Sequence, residues 1–169
     1  VRDLLAIGYE KVVFNTALIR DPSLIQKAAD YFGKQSIVAS IDAKKSNWEY
    51  LCAIEDGTEL IKKSPVDLAK EAERLGAGEI IINSIDQDGM MNGYDLDLVR
   101  SVSNAVTVPV TAVGGARGIR DLKTVLEEGH AHAAAGVSMF VYYGRLKAVL
   151  ITAPTEKELL AAGVYSEDI

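Results

Sequence analysis

The chain has 169 residues, of which 49% are hydrophobic and 25% charged, a composition typical of a globular domain and not of a disordered or collagen-like chain. Its 18 Lys and Arg residues against 24 Asp and Glu residues give a formal net charge of -6, without a long basic run, so we expect no nucleic-acid partner. No apolar stretch approaches the roughly 18 residues of a membrane span, a signal-peptide pattern is missing, and Cys52 is the single cysteine, so we expect a cytoplasmic protein without a membrane anchor.

The chain opens with a helix end, followed by a strand and a helix. Residues 2–8 are typical of the last turns of a helix that Gly8 ends, so we expect the chain to begin within a fold. A first strand is predicted at residues 11–14. The next helix is expected to begin at Asp21, because apolar residues follow it with the 3.6-residue period of a helix.

The second strand leads into a predicted flap. This strand covers residues 36–41 and ends at Asp42. Residues 47–62 alternate around Asp56-Gly57, a two-residue hairpin signal, which predicts a small antiparallel flap after the strand. A helix over residues 64–75 is then expected, with a proline at its first turn and a glycine after its end.

The second half of the chain repeats the strand and helix unit. The predicted elements are strand 79–85, helix 96–102, strand 108–113, helix 119–128 ended by Gly129, and strand 133–137. Apolar strands separated by single helices predict right-handed crossovers and a parallel sheet covered by helices. The spacing suits a (β/α)8 TIM barrel of roughly 250 residues. Since only five strands are predicted, we expect one domain over residues 1–169 that is an incomplete barrel, unless the sheet closes in another way.

Polar and glycine-rich turns follow the predicted strands. Chemistry gathers at the carboxyl edge of a parallel sheet, because helix N-termini and free amides lie there. The turns at this edge are residues 15–16, 42–44, 86–89, 114–116 and 136–138. The neighbouring turns at Gly114-Gly115 and Gly136 favour a phosphate site. The alternative is that these glycines only permit tight turns with positive φ.

Asp42 is the candidate acid and base residue. It closes an apolar strand at the expected mouth of the barrel, a position suited to proton transfer. The alternative is a solvated salt bridge with Lys44, and the sequence leaves both open. The flap residues Trp48, Tyr50 and Leu51 either pack the flap or form a lid over a substrate.

Two other signals do not point to a site. His130 and His132 lie two residues apart, without a cysteine or a third histidine nearby, so no metal site is expected. The glycines of residues 114–118 lack the acidic residue that a dinucleotide site places about 20 positions further on. We therefore expect neither a metal nor a cofactor.

Five segments of the chain match a known family in order and at the family's spacing. They are residues 14–17, residues 39–44, residues 76–80, residues 84–89 with 93–95, and residues 114–116. Together they resemble the cyclase (HisF-type) subunit of imidazole glycerol phosphate synthase. The resemblance covers nearly the whole chain and implies that it corresponds to strands four to eight of the (β/α)8 barrel.

The resemblance implies an activity in histidine biosynthesis. Cyclases of this family take ammonia from a glutaminase partner. With it they split a bis-phosphorylated formimino-aminoimidazole-carboxamide ribonucleotide into imidazole glycerol phosphate and an aminoimidazole carboxamide ribotide. Two aspartates act as acid and base: the one on the fifth strand matches Asp42, and the one on the first strand has no counterpart in this sequence.

The resemblance also implies which residues contact the phosphorylated substrate. They are Asn15, Thr16, Asp86, Asp88, Gly89, Gly114, Gly115, Gly136 and Ser138. Family members place a serine directly after the last strand's glycine, whereas this chain has Val137 there and Ser138 next. Lys11 and Glu79 match two members of a charged ring that gates ammonia at the opposite face. Without the resemblance, they are explained as strand-start charges that face solvent.

Two further functions stay open. The tail at residues 139–151 resembles a paralogous branch associated with lipopolysaccharide sugar amidation, in which the cyclase-like subunit relays ammonia to a sugar amidotransferase. The other is a truncated, non-catalytic phosphate-binding scaffold, since the first-strand aspartate is not in this sequence. In every case the two open edges of a five-stranded sheet predict self-association into a homo-oligomer.

Overall fold

A mixed sheet with helices on one face forms the centre of the computed structural model, which describes residues 1–144 and 146–165. The strands of this sheet are β1 (Val12–Phe14), β2 (Ile37–Ser46), β3 (Glu49–Ile54), β4 (Glu59–Ile61), β5 (Glu79–Ser84), β6 (Val110–Val113) and β7 (Ala133–Ala134). A separate two-stranded hairpin consists of β8 (Tyr142–Tyr143) and β9 (Ala148–Val149). The helices are α1 (Arg2–Ala6), α2 (Ala17–Arg20), α3 (Pro22–Phe32), α4 (Pro65–Leu75), α5 (Leu96–Ser103), α6 (Ile119–Glu127), α7 (Ser138–Val141) and α8 (Glu156–Ala161), with a 3-10 turn at Lys34–Ser36.

Five parallel strands lie side by side in chain order. β1 pairs with β2, β2 with β5, β5 with β6, and β6 with β7. This order confirms the predicted fold class, five successive units of an incomplete (β/α)8 barrel. Among the described residues β1 and β7 do not pair with each other, so the sheet is open.

The outer face of the sheet packs against the helices. The fully buried residues of β2 and β5 on this face are Ile37, Ala39, Ile41, Ala43, Ile80 and Ile82. The helix residues of the core include Leu68, Leu75, Leu122 and Val125, all buried, and Leu126, which is partly buried. Because side chains alternate along a strand, the β2 and β5 residues that lie between these buried strand residues point to the inner face. That face carries Asp42.

Helix boundaries follow local signals in α4. The Ser64 hydroxyl accepts a hydrogen bond from the Asp67 amide, and Gly76 ends the helix in the left-handed conformation, as predicted. The end of α6 differs from the prediction. The helix stops at Glu127, and His130, not Gly129, takes the positive φ of 57°.

The flap is larger than predicted. β2 does not end at Ile41 but continues to Ser46, because its second half pairs with β3 in an antiparallel hairpin. The connection from β3 to β4 is also different. Ile54 pairs with Glu59, so four residues, and not two, form the loop around Asp56-Gly57.

Two strands are shorter than predicted by two residues or more. β6 begins at Val110, and β7 has only two residues, Ala133 and Ala134, because its pairing with β6 covers only two positions. The tail at residues 139–151 contains α7, β8 and β9, and its residue Arg145 lies outside the described residues. No helix in the described part of the chain is both long and apolar enough to cross a membrane.

Candidate functional site

Three polar side chains meet at the carboxyl end of the parallel strands. Asn15 follows β1, Asp42 lies on β2, and Asn83 lies on β5 directly beside Asp42 in the strand register. The Asn15 side-chain amide donates to Asp42 Oδ2 at 3.2 Å, and the Asn83 amide donates to Asp42 Oδ1 at 3.0 Å. Each carboxylate oxygen of Asp42 therefore accepts one hydrogen bond from a neutral amide.

This arrangement decides one of the open alternatives for Asp42. Within the described residues, Asp42 forms no ion pair with Lys44, so the salt-bridge interpretation is wrong. Asp42 is instead oriented by two amides that carry no charge. An oriented carboxylate at this edge is suited to moving a proton.

A narrow cleft lies at the ends of β6 and β7. Its walls are formed by Asp88, Gly89, Met91, Val113, Gly114, Gly115, Ala116, Gly136, Val137 and Ser138. Six of the residues predicted for phosphate or substrate contact are therefore brought together. Val137 and Ser138 both line the cleft, so the displaced serine is still present at its edge.

The glycines of this cleft are required by the backbone. Gly114 and Gly115 have φ of +92° and +105°. A Cβ at Gly115 would lie 2.2 Å from the carbonyl oxygen of Gly93, and one at Gly114 would lie 2.8 Å from that of Ser84. Tight turns therefore account for both glycines, which leaves open whether their amides also bind phosphate.

Two predicted contact residues are engaged elsewhere. The Thr16 hydroxyl accepts a hydrogen bond from the Glu55 amide, which ties the loop of the flap to the end of β1. Asp86 Oδ2 accepts a hydrogen bond of 2.7 Å from the Lys45 amide. In this arrangement both side chains hold the flap in place.

Lys11 and Glu79 lie at the opposite end of the sheet from Asp42. Lys11 Nζ donates to Glu79 Oε2, and the Thr111 hydroxyl donates to Glu79 Oε1 at 3.2 Å. The two charges predicted for an ammonia gate therefore form an ion pair across β2. They do not face solvent as separate charges.

The flap is held against the loop that joins β5 to α5. The Tyr50 hydroxyl donates to both carboxylate oxygens of Asp95 at 2.9 Å, and Asp95 also caps α5 by accepting from the Leu98 amide. Burial and the bond to Asp95 raise the pKa of Tyr50 above its ordinary value, so its hydroxyl stays protonated. Trp48 does not pack the flap, since it is 99% exposed at the hairpin turn.

A second tyrosine fixes the same loop from the other side. The Tyr94 hydroxyl donates to the carbonyl of Ala135, next to the Gly136 turn. Burial raises the pKa of Tyr94.

Nearby, Asp121 is buried and accepts three hydrogen bonds from Arg117, which lower the pKa of the Asp121 carboxyl against the effect of burial.

The histidines contact different groups. His130 Nδ1 lies 2.9 Å from the Asn104 side-chain oxygen, and His132 Nδ1 accepts from the Val110 amide at 3.2 Å. Over the described ranges, no group of three or more His, Cys, Asp or Glu side chains is arranged to hold a metal ion.

The sequence predicted no role for Asn83 or for Asp95, the hydrogen-bond partner of Tyr50. The signal for Asn83 was a polar residue near the end of a strand, on the face opposite Ile80 and Ile82. Its Oδ1 is buried without a hydrogen-bond partner among the described residues, and an added Cβ at Gly114 would approach it to 2.9 Å. Because Gly114 has no Cβ, the side chain of Asn83 fits beside it.

Comparisons with known proteins give one consistent family. Residues 1–147 match the model of the family described as "Histidine biosynthesis protein". The imidazole glycerol phosphate synthase subunit HisF of Trichormus variabilis is 42% identical over 150 residues, 86% of this chain and 58% of that protein. The corresponding subunit of a Nostoc species is 37% identical over 171 residues, 99% of this chain and 66% of that protein.

A Pseudomonas aeruginosa protein is also similar, at 44% identity over 157 residues, and its name assigns it provisionally to the same synthase. The match covers 92% of this chain and 62% of that protein. The chain thus spans about three fifths of the length of the curated relatives it matches.

Proposed function

The chain belongs to the histidine biosynthesis protein family, as a relative of its HisF-type cyclase subunits, and from this membership we propose that it supplies the ammonia-dependent cyclase reaction of imidazole glycerol phosphate synthase. The proposed substrate is the bis-phosphorylated aminoimidazole carboxamide ribonucleotide of that reaction. The observation that carries the proposal is the pair of amides that orient Asp42 at the carboxyl end of the parallel part of β2.

Asp42 is proposed to transfer a proton during cyclisation and cleavage. Asn15 and Asn83 hold its two oxygens in fixed directions, so the carboxylate needs little reorganisation to reach a bound substrate. The second residue of the acid and base pair corresponds to a part of the relatives that this chain does not match. The chain therefore contributes one of the two groups.

The narrow cleft at the ends of β6 and β7, here called the glycine cleft, is proposed to anchor a phosphate of the substrate. Backbone amides at Gly114, Gly115 and Gly136 carry no side chain that would block an approaching anion. Gly89 and Ser138 extend the cleft, and Asp88 lies at its exposed side. In this proposal the cleft residues bind the phosphate, and a separate residue, Asp42, transfers the proton.

A glutaminase subunit is the proposed source of ammonia. The Lys11 and Glu79 pair lies at the face opposite Asp42, where ammonia would enter before it reaches the mouth. Lys11 and Glu79 are proposed to gate this entry. The reaction is proposed to take place in the cytoplasm, where Cys52 stays reduced.

Relay of ammonia to a sugar amidotransferase is the second candidate function. It is favoured by the tail at residues 139–151, whose sequence resembles the branch associated with lipopolysaccharide sugar amidation. Both candidates share the handling of ammonia and differ in the acceptor.

The first prediction tests the cyclase function itself. The chain alone should form product at a very low rate, because it holds one of the two proton-transfer groups. Ammonia-dependent formation of imidazole glycerol phosphate should recover when a polypeptide that carries the first three strand and helix units of a relative is added. Binding of the ribonucleotide without turnover in the assembled barrel would instead support the non-catalytic scaffold.

The second prediction concerns self-association. We propose that the chain forms a homo-oligomer, because β1 and β7 have unpaired edges in the described structure and Val13 of β1 is 54% exposed. Light scattering in dilute buffer should give a mass at least twice that of the 18.2 kDa chain. A stable monomer over the same concentrations would contradict this prediction.

A further inference from the structure

The loop between β5 and α5 is held by several contacts. Its start is fixed by the Lys45 amide, which donates to Asp86, and its end by the Tyr50 hydroxyl, which donates to Asp95. Near its end, the Gly93 amide donates to the Gly115 carbonyl at 2.8 Å, and the Tyr94 hydroxyl donates to the Ala135 carbonyl. Two of these contacts come from the flap.

The loop held in this way forms one wall of the glycine cleft. Asp88, Gly89 and Met91 lie between the fixed points and face Gly114, Gly115 and Gly136 across the cleft. The width of the cleft therefore depends on where the loop is held. A flap contact that moves the loop also moves this wall.

We propose that Tyr50 is a positioning residue for the glycine cleft, acting through Asp95 on the β5 to α5 loop. The inference rests on the proposed function in one respect, since the cleft is taken to bind phosphate. Tyr50 itself does not line the cleft. The Tyr50 hydroxyl donates a hydrogen bond to a charged carboxylate, and such a bond contributes more to stability than one between neutral groups.

The orientation of Tyr50 is itself supported by the flap. Lys45 Nζ lies 5.6 Å from the centre of the Tyr50 ring, on the strand opposite it in the hairpin. Tyr50 pairs with Lys45 in the register, and the Lys45 amide is the group that holds Asp86. One cross-strand pair of the flap therefore reaches both ends of the loop.

The third prediction tests Tyr50 by removing only its hydroxyl. In the Tyr50→Phe variant, the dissociation constant for inorganic phosphate should rise by about three- to tenfold, since one of the contacts that hold the loop is lost. Amide chemical shifts of Gly114, Gly115 and Gly136 measure this constant. Hydrogen exchange at the Gly93 amide should accelerate, while the melting temperature falls by only a few degrees.

Two further variants separate positioning from a general loss of structure. Tyr143→Phe is the matched control, because Tyr143 is exposed in β8 and its hydroxyl has no partner among the described residues. Asp95→Asn keeps an acceptor for both Tyr50 and Leu98 but removes its charge, so phosphate binding should weaken by less than in Tyr50→Phe. Equal losses in Tyr50→Phe and Tyr143→Phe would overturn the proposal.

The outcomes for Tyr50 and for the proposed function are distinct. If the unchanged chain shows no phosphate-dependent shifts at the cleft, the proposed phosphate anchor is wrong. Tyr50 is then judged by exchange at Gly93 alone. Unchanged exchange in Tyr50→Phe overturns the positioning role, and faster exchange supports it.

Discussion

Asp42→Asn in the barrel assembled from this chain and the complementing strands should lower the ammonia-dependent rate by about 10²- to 10⁴-fold, the usual contribution of general acid or base catalysis. Asparagine has the shape of aspartate and keeps one oxygen that can accept a hydrogen bond from Asn15 or Asn83. It lacks the carboxylate that takes and gives the proton. The loss should appear in kcat. Phosphate binding at Gly114 and Gly136 should be unchanged, because these glycines do not contact Asp42.

Asp97→Asn is the control for this prediction. Asp97 is exposed in the first turn of α5 and forms only a long ion pair of 3.6 Å with Arg100. The rate of this variant should be that of the unchanged barrel, since exposed pairs contribute little. Full activity of Asp42→Asn would show that Asp42 is not the proton-transfer residue. A loss of phosphate shifts together with the rate would show that the variant has lost its fold.

Gly115→Ala should destabilise the chain by about 3 kcal/mol or more, because the new Cβ meets a backbone atom and the left-handed conformation disfavours any side chain. The atom in contact would be the Gly93 carbonyl oxygen, 2.2 Å away, and the φ of Gly115 is +105°. Neither the end of β6 nor the β5 to α5 loop can yield without losing the bond between Gly93 and Gly115. The melting temperature should fall by about 10 °C.

Gly118→Ala provides the matched comparison three residues further on. Nothing lies within 4 Å of a Cβ placed there, and its φ of -179° is extended backbone that any residue adopts. This variant should melt within about 4 °C of the unchanged chain, because its cost is only that alanine is a less favourable N-cap of α6 than glycine, by about 1 kcal/mol. If Gly115→Ala melts at the same temperature as Gly118→Ala, the close packing of the two loops is wrong.

The presence of the five parallel strands and both ends of α4 were predictable because they depend on neighbouring residues. The Ser64 cap needs only the amide of Asp67 three residues on, and Gly76 ends α4 because glycine accepts positive φ at low cost. The alternation of strand and helix sets the sheet order in the same way. The glycine turns and Asp42 at the carboxyl edge followed from that order.

The tertiary structure decided which side chains meet across strands. Asn83 reaches Asp42 because the two residues share one register position, and Tyr50 reaches Asp95 although 45 residues separate them. The same holds for β2, which continues to Ser46 because β3 pairs with it. Local patterns determine where strands and helices form, because their hydrogen bonds and caps lie within a few residues. Register and hairpin pairing arise from contacts between distant segments, so the partners of Asp42 and the attachment of the flap become determined only when the sheet assembles.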